Sequence, residues 1–121
     1  MRLINEDQVR QLLTMDACVD ALDTLFKDAG AGRAVVLGRQ RLPLPAGTHQ
    51  IMGGTAEAFE ATGLKTYVGV AGGGGTRMVV LLFGTASPEP LAMIAANALG
   101  QIRTGAASGV ATRYMAREDA T

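Results

Sequence analysis

The sequence has few of the residues that define several protein classes. Its 121 residues include one cysteine and no tryptophan, and only 4% are aromatic. The single thiol, Cys18, excludes an internal disulfide, as is usual in a reducing compartment. Neither sign of charge is in excess, because 11 basic residues balance 11 acidic residues. This balance gives no indication of a nucleic acid or an anionic membrane as a partner.

Long hydrophobic runs are also lacking. The opening "MRLINEDQVRQLL" has acidic and polar residues where a secretory leader needs an apolar segment. The longest apolar run, 78–83, is too short to cross a bilayer. We therefore expect a soluble cytoplasmic protein with no membrane partner and no metal site. Its length fits one domain and is short for a complete cofactor-dependent enzyme.

Two amphipathic helices are predicted at the start of the chain. Asn5 is a suitable N-cap for the first helix, and acidic residues follow it where they favour the positive helix end. The second helix is indicated by apolar residues at helical spacing, and Gly30 and Gly32 mark its end. Its apolar positions are Met15, Cys18, Val19, Leu22, Leu25 and Phe26. Since Cys18 lies on this stripe, we interpret it as a packed core thiol.

From Ala34 onwards the pattern changes to extended segments joined by short turns. Five strands are predicted, in "VVLGRQRLPLP", "HQIMGG", "GLKTYVGVA", "RMVVLLF" and "EPLAMIAA". The links "GGGGTR" and "GTASPEP" favour antiparallel hairpins, because parallel neighbours need longer crossovers. A final helix is predicted from about Leu99 to Ala116. This order indicates an α+β fold with N-terminal helices, a mainly antiparallel β-sheet and a C-terminal small-residue helix.

Two features that could suggest chemistry are better interpreted as structural. The glycines of a phosphate-binding loop open a helix, whose free amide groups meet the anion. The glycines of "AGGGG" instead precede "TRMVVLLF", which is a predicted strand, so a hairpin tip is the better interpretation. The lone histidine, His49, lies beside Gln50 in another predicted strand and is interpreted as structural.

Three cations stand out by their positions. Arg39 lies at a strand entrance beside Gly38, and Lys65 lies inside an apolar strand with Tyr67 on the same face. Arg103 stands at the head of the small-residue helix. Each cation is compatible with a solvated surface position. If the three converge, a carboxylate is their natural ligand, because arginine binds it through two parallel hydrogen bonds.

The segments "LGQIRTGAASGVATRYMAREDA", "GLKTYVGVAGG" and "RQRLPLP" resemble the ornithine cyclodeaminase/mu-crystallin family, as does the opening "LINEDQVRQLLTMDACVDALDTLF". The resemblance extends over essentially all 121 residues. It implies an α+β part that binds substrate and pairs its sheet with a second subunit, to give a homodimer. A Rossmann part that binds NAD or NADP completes such proteins, and hydride transfer occurs between the two parts.

The same resemblance implies roles for individual residues. Arg39 and Arg103 match substrate-binding residues that hold the substrate carboxylate. Lys65 matches a substrate-binding and catalytic residue near the reacting carbon, where it could polarise the substrate or serve in acid/base catalysis. Thr104 would face the cofactor. Thr76 is only a candidate for a substrate-contacting threonine.

The chain also departs from the family pattern. "IAANALGQ" has Ala95, Ala96 and Asn97 where many relatives carry an acid, and no G-x-G-x-x-G follows a strand. We expect residues 1–121 to be the substrate-binding and dimerisation domain, without the dinucleotide-binding domain. The full enzyme would act on a small amino or imino acid by cyclodeamination, imine reduction or dehydrogenation. This chain alone is expected to be inactive and not to bind NAD or NADP tightly.

One alternative function stays open at this point. The chain could be a stand-alone, non-catalytic module for ligand binding or dimerisation. In either case the last helix would lack the cover of a cofactor domain. We therefore expect an apolar patch that includes Val110, Tyr114 and Met115.

Overall fold

The computed structural model describes residues 1–73 and 75–120, and it confirms the α+β class. Three helices and a six-stranded sheet make up the fold. The helices are α1 (Glu6–Leu12), α2 (Met15–Gly30) and α3 (Asn97–Met115), with a short 3-10 turn at Glu57–Phe59. The strands are β1 (Arg2–Ile4), β2 (Ala34–Leu44), β3 (Gly47–Ala56), β4 (Ala61–Val70), β5 (Arg77–Gly84) and β6 (Pro90–Ala95).

The sheet has the strand order β1-β6-β5-β4-β3-β2. Strands β2 to β6 form an antiparallel meander, as their short connections predicted. Strand β1 was not predicted, and it adds a parallel pair with β6 in which Leu3 lies opposite Met93. Three residues are too few to show a strand alternation, and the pairing forms between segments far apart in sequence. The sheet is therefore mainly, but not wholly, antiparallel.

The N-terminal caps of the helices come from different sources. The Asn5 side chain accepts a hydrogen bond from the Gln8 N–H at 2.9 Å, and the Gln8 side chain accepts one from the Asn5 N–H at 3.0 Å. This capping box begins α1 where it was predicted. Helix α3 begins two residues before Leu99, and Ala96 at its N-cap has no side chain that could accept a bond. A residue from α1 supplies the cap instead.

That residue is Glu6. Its Oε1 accepts from the Asn97 N–H at 2.8 Å, and its Oε2 accepts from the Ala98 N–H at 2.7 Å. These bonds, and the charges of Arg10 and Arg77, hold the pKa of Glu6 below its usual range despite its partial burial. The first turn of α1 is thereby fixed to the start of the helix that carries Arg103.

Small residues allow α3 to pack closely against its neighbours. A Cβ atom at Gly105 would lie 3.3 Å from Met15 Cε on α2, and one at Gly100 would lie 2.9 Å from Met78 Cε on β5. Helix α3 therefore touches both α2 and the sheet. Cys18 on α2 is buried, which confirms the packed thiol, and burial raises its pKa. Val110 is also buried, so its predicted exposure is wrong, whereas Tyr114 and Met115 are exposed.

The two faces of the sheet differ, because the helices pack on one face, the helix face, and leave the other face open. The helix face includes Met78 together with Lys65, Val80 and Ile94, which lie in one cross-strand row. The open face carries the alternate residues, and many of its apolar side chains are exposed. They include Leu3, Leu37, Leu42, Leu64, Val68, Val70 and Met93. Within the part of the chain that the structure describes, no helix is long and apolar enough to cross a membrane.

Candidate functional site

Lys65 lies in the middle of β4, on the helix face of the sheet. Its neighbours in the cross-strand row are Met52 on β3 and Val80 on β5. The Lys65 side chain is partly buried, and its Nζ lies 5.7 Å from the centre of the Tyr67 ring. Its charge is thus set among apolar and aromatic groups, on the face of the sheet that α2 and α3 contact through the neighbouring strands β3 and β5.

Arg39 lies within β2, and not at a strand entrance as the sequence suggested. The β2–β3 register is regular up to Leu37 and again from Gln40, so Gly38 and Arg39 form a bulge opposite Met52. A bulge bends its strand and redirects the side chains that it carries. Since Met52 pairs with Lys65, the bulge brings Arg39 to the same region of the sheet as Lys65.

Arg103 reaches this region from the helical layer. Burial lowers the pKa of Lys65, and the positive charges of Arg103 and Arg39 lower it further. The charge of Arg103 also acts on the Cys18 thiol, where it opposes the rise in pKa that burial causes. Of the three cations that the sequence singled out, Arg39 and Arg103 therefore both lie within electrostatic range of Lys65. Their roles in binding or catalysis stay predictions.

This cation cluster, Arg39, Lys65 and Arg103, offers hydrogen-bond donors and no acceptors. Within the described residues, the charges that act on Lys65 are those of Arg103 and Arg39, and both are positive. Both arginines are exposed, so their guanidinium groups are accessible to a ligand. Such a site is suited to a carboxylate, which would balance the charge and accept paired hydrogen bonds. Among residues 1–73 and 75–120, no group of three or more His, Cys, Asp and Glu residues could hold a metal ion.

Over the described ranges, 1–73 and 75–120, no glycine-rich turn joins a strand to the start of a helix. Thr104, predicted to face the cofactor, is exposed, and its hydroxyl donates to the Gly100 carbonyl at 2.7 Å within α3. The glycine-rich segment joins the antiparallel strands β4 and β5, so no helix begins at its end; Gly74 in its middle lies outside the described residues. The Thr76 carbonyl accepts a hydrogen bond from the Asn97 side chain at 2.8 Å.

Sequence reasoning overlooked one residue near the cation cluster. Gln50 lies opposite Tyr67 on the helix face, and its Oε1 is the one buried side-chain polar atom of the described residues that has no hydrogen-bond partner. Strand alternation puts Gln50 and Met52 on the same face of β3. Only the pairing of β3 with β4 shows that this face is the one that carries Lys65. His49 points to the opposite face, where its Nε2 lies 2.6 Å from the Thr66 hydroxyl.

Comparison with known proteins places this chain in a family. The family model described as "Ornithine cyclodeaminase/mu-crystallin family" matches residues 2–121, and the chain belongs to this family. A Delta(1)-pyrroline-2-carboxylate reductase of Bacillus cereus is 34% identical over 127 aligned residues, which cover 99% of this chain and 39% of the relative. The chain thus spans about two fifths of the length of this curated relative.

Solved structures agree with this assignment. The Delta(1)-pyrroline-2-carboxylate reductase of Thermococcus litoralis, solved with NADH and L-proline, is 27% identical and superposes with a TM-score of 0.88; the match covers 100% of this chain and 40% of that one. A probable ornithine cyclodeaminase of Bordetella pertussis Tohama I is 28% identical, with a TM-score of 0.90 and coverage of 97% and 37%. The family therefore includes proteins named for imino-acid reduction and for cyclodeamination.

Proposed function

We propose that this chain is the substrate-binding and dimerisation domain of an NAD(P)-dependent enzyme that acts on a small amino or imino acid. The observation that supports the proposal is that Arg39 and Arg103 both lie close enough to Lys65 for their charges to act on it. The arginines bind the substrate carboxylate. In the complete protein the reaction is hydride exchange between the nicotinamide and the α-carbon, on the side of α3 where Thr104 is exposed.

Lys65 is proposed to act as the acid/base residue next to the reacting carbon. A lysine with its ordinary pKa holds its proton too tightly to exchange it near neutral pH. Burial and the charges of Arg103 and Arg39 lower the pKa of Lys65, which favours proton transfer. A bound carboxylate screens these charges, so binding and the proton affinity of Lys65 are coupled.

The open face of the sheet is proposed as the dimer interface. It presents adjacent apolar side chains from several strands, including Leu37, Leu64 and Met93, and α1–α3 lie on the other face. Apolar patches of this kind are usually buried in an assembly. Two copies of one sheet can pack face to face with a two-fold axis, which gives a closed dimer. This arrangement leaves the cation cluster on the far side of each sheet.

Binding of L-proline, the ligand in the Thermococcus litoralis structure, tests the carboxylate site. Calorimetric titration of the 121-residue chain should show binding that Arg103→Leu weakens at least tenfold, because a paired charge-assisted contact is lost. Arg113→Leu is the matched control, since Arg113 lies on the same helix but pairs with Asp20 and Asp23 on α2. Equal affinities for the Arg103→Leu and Arg113→Leu variants would contradict the proposed site.

A further inference from the structure

We infer that Gln50 Oε1 accepts the N–H of the substrate nitrogen, and that the site therefore selects amino or imino acids with a single nitrogen. The inference rests on the proposed function and adds the substrate class to it. It starts from an atom that the fold leaves unpaired. Gln50 Oε1 is buried, and no donor of the described residues reaches it.

An unpaired buried oxygen of this kind needs a physical explanation. Native proteins pair nearly all buried polar side-chain atoms, and the exceptions often serve a ligand. The Gln50 amide is held at its other end, because its Nε2 donates to the Thr48 hydroxyl at 3.1 Å. With the amide group fixed in this way, Oε1 is the end that is available for a donor from outside the chain.

The sheet register places Gln50 beside the cation cluster. Gln50 lies opposite Tyr67, while Met52, two residues further along β3, lies opposite Lys65. Gln50 and Lys65 are therefore diagonal neighbours on the same face, which puts their Cα atoms about 7–8 Å apart. A small amino acid can span this separation, with its carboxylate toward the cations and its nitrogen toward Gln50.

The site has two halves, the cation cluster and Gln50 Oε1, and together they are complementary to an amino or imino acid. The two arginines, and Lys65 while it holds its proton, carry donors only, so in this state the cation cluster serves the carboxylate and offers no acceptor for an N–H. Gln50 Oε1 supplies the acceptor that the nitrogen requires. This oxygen can accept an N–H of the substrate nitrogen, but because it is neutral it cannot balance the charge of a second ammonium.

Substrate selection follows from this difference. In the part of the chain that the structure describes, both charges that act on Lys65 are positive, so a second ammonium close to the cation cluster would be repelled. A cyclic imino acid or a monoamino acid avoids that repulsion. L-proline fits both halves of the site, whereas L-ornithine brings an additional ammonium group.

Three probes test the inference on the 121-residue chain by calorimetry: L-proline, cyclopentanecarboxylate and L-ornithine. Cyclopentanecarboxylate has the ring and carboxylate of proline but no nitrogen. We expect about tenfold tighter binding of L-proline than of cyclopentanecarboxylate, the ratio expected from one charge-assisted hydrogen bond. L-ornithine should bind more weakly than L-proline. This comparison needs no variant.

Two substitutions then assign the effect to Gln50. Gln50→Met should remove the preference for L-proline and leave the affinity for cyclopentanecarboxylate within about threefold, since the carboxylate contacts remain. Gln50→Glu should shift the ratio toward L-ornithine by adding a negative charge. Gln11→Met is the control, because Gln11 is exposed on α1, outside the site.

The possible failures are distinguishable. Equal binding of L-proline and cyclopentanecarboxylate by the unmodified chain would overturn the inference and leave the carboxylate site standing. A preference for L-proline that survives Gln50→Met, or L-ornithine binding as tightly as L-proline, would overturn it in the same way. Binding of none of the three probes would overturn the proposed function, and the inference with it.

Discussion

Replacing Glu6 by glutamine should destabilise the protein by about 2 kcal/mol at neutral pH. The two carboxylate oxygens cap the first two N–H groups of α3, at 2.8 and 2.7 Å. An amide keeps one acceptor oxygen and loses the second bond. A hydrogen bond to a charged group contributes about 1.5–3 kcal/mol, and partial exposure of Glu6 favours the lower end. Loss of the negative charge at a helix N-terminus adds about 0.5 kcal/mol.

The pH dependence of this effect has a defined sign. The pKa of Glu6 is lowered in the folded chain, so the carboxylate stabilises the fold fully above the unfolded-state value of about 4.3. The stabilisation is lost as the pH falls through the lower, folded pKa. Glu6→Gln lacks this titration. The difference in unfolding free energy between the unmodified chain and the Glu6→Gln variant should therefore be constant from about pH 7 to 5 and should become smaller below about pH 4.

Urea denaturation followed by circular dichroism measures this difference. Asp7→Asn is the matched control, because Asp7 is the next acidic residue of α1 and is exposed. It should cost no more than about 0.5 kcal/mol, through the dipole of α1 alone. Two results would show that the Glu6 carboxylate is not the cap of α3. One is equal destabilisation by Glu6→Gln and Asp7→Asn, and the other is a loss of unfolding free energy in Glu6→Gln that acid leaves unchanged.

Two further predictions concern the site and the assembly. Arg103→Leu removes a positive charge that acts on Lys65, so the pKa of Lys65 should rise; NMR titration of the 13C-methylated lysine measures it, and an unchanged pKa would contradict the cation cluster. Met93→Lys places a charge on the open face and should shift the dimer toward monomer in sedimentation equilibrium. Met115→Lys, at an exposed apolar residue on α3, should leave the dimer intact. Equal effects of both lysine substitutions would place the interface elsewhere.

Much of the fold could be predicted because its signals are local. The Asn5 cap, the apolar stripe of α2 and the short links of the meander each act within a few residues, and each led to the observed element. Strand β1 and the Glu6 cap were not predicted. Both depend on partners more than 80 residues away, Ala92 to Ile94 for the strand and Asn97 and Ala98 for the carboxylate. No local pattern encodes such pairings.

The candidate site was predictable only in part for a related reason. The position of Lys65 follows from strand alternation, and the family motif singles out both Lys65 and Arg103. Arg103 was expected at the head of the last helix, but α3 begins at Asn97, which puts Arg103 in its second turn. Arg39 depends on a bulge that breaks the alternation of β2. Gln50 is inconspicuous in sequence, because a glutamine in a strand is ordinarily a solvated residue. Its unpaired oxygen becomes evident only once the neighbouring donors are placed.

The contact between Glu6 and α3 also constrains the order in which the chain can fold. Glu6 and Asn97 are separated by 91 positions, so α1 leaves the ribosome long before the amide groups that it caps have been made. Strands β2 to β6 pair with their sequence neighbours and can close as they emerge. During synthesis the sheet therefore forms before its helical cover is complete. Until α3 has been made, the part of the helix face that it covers stays exposed, and transiently exposed apolar surface of this kind is prone to aggregation.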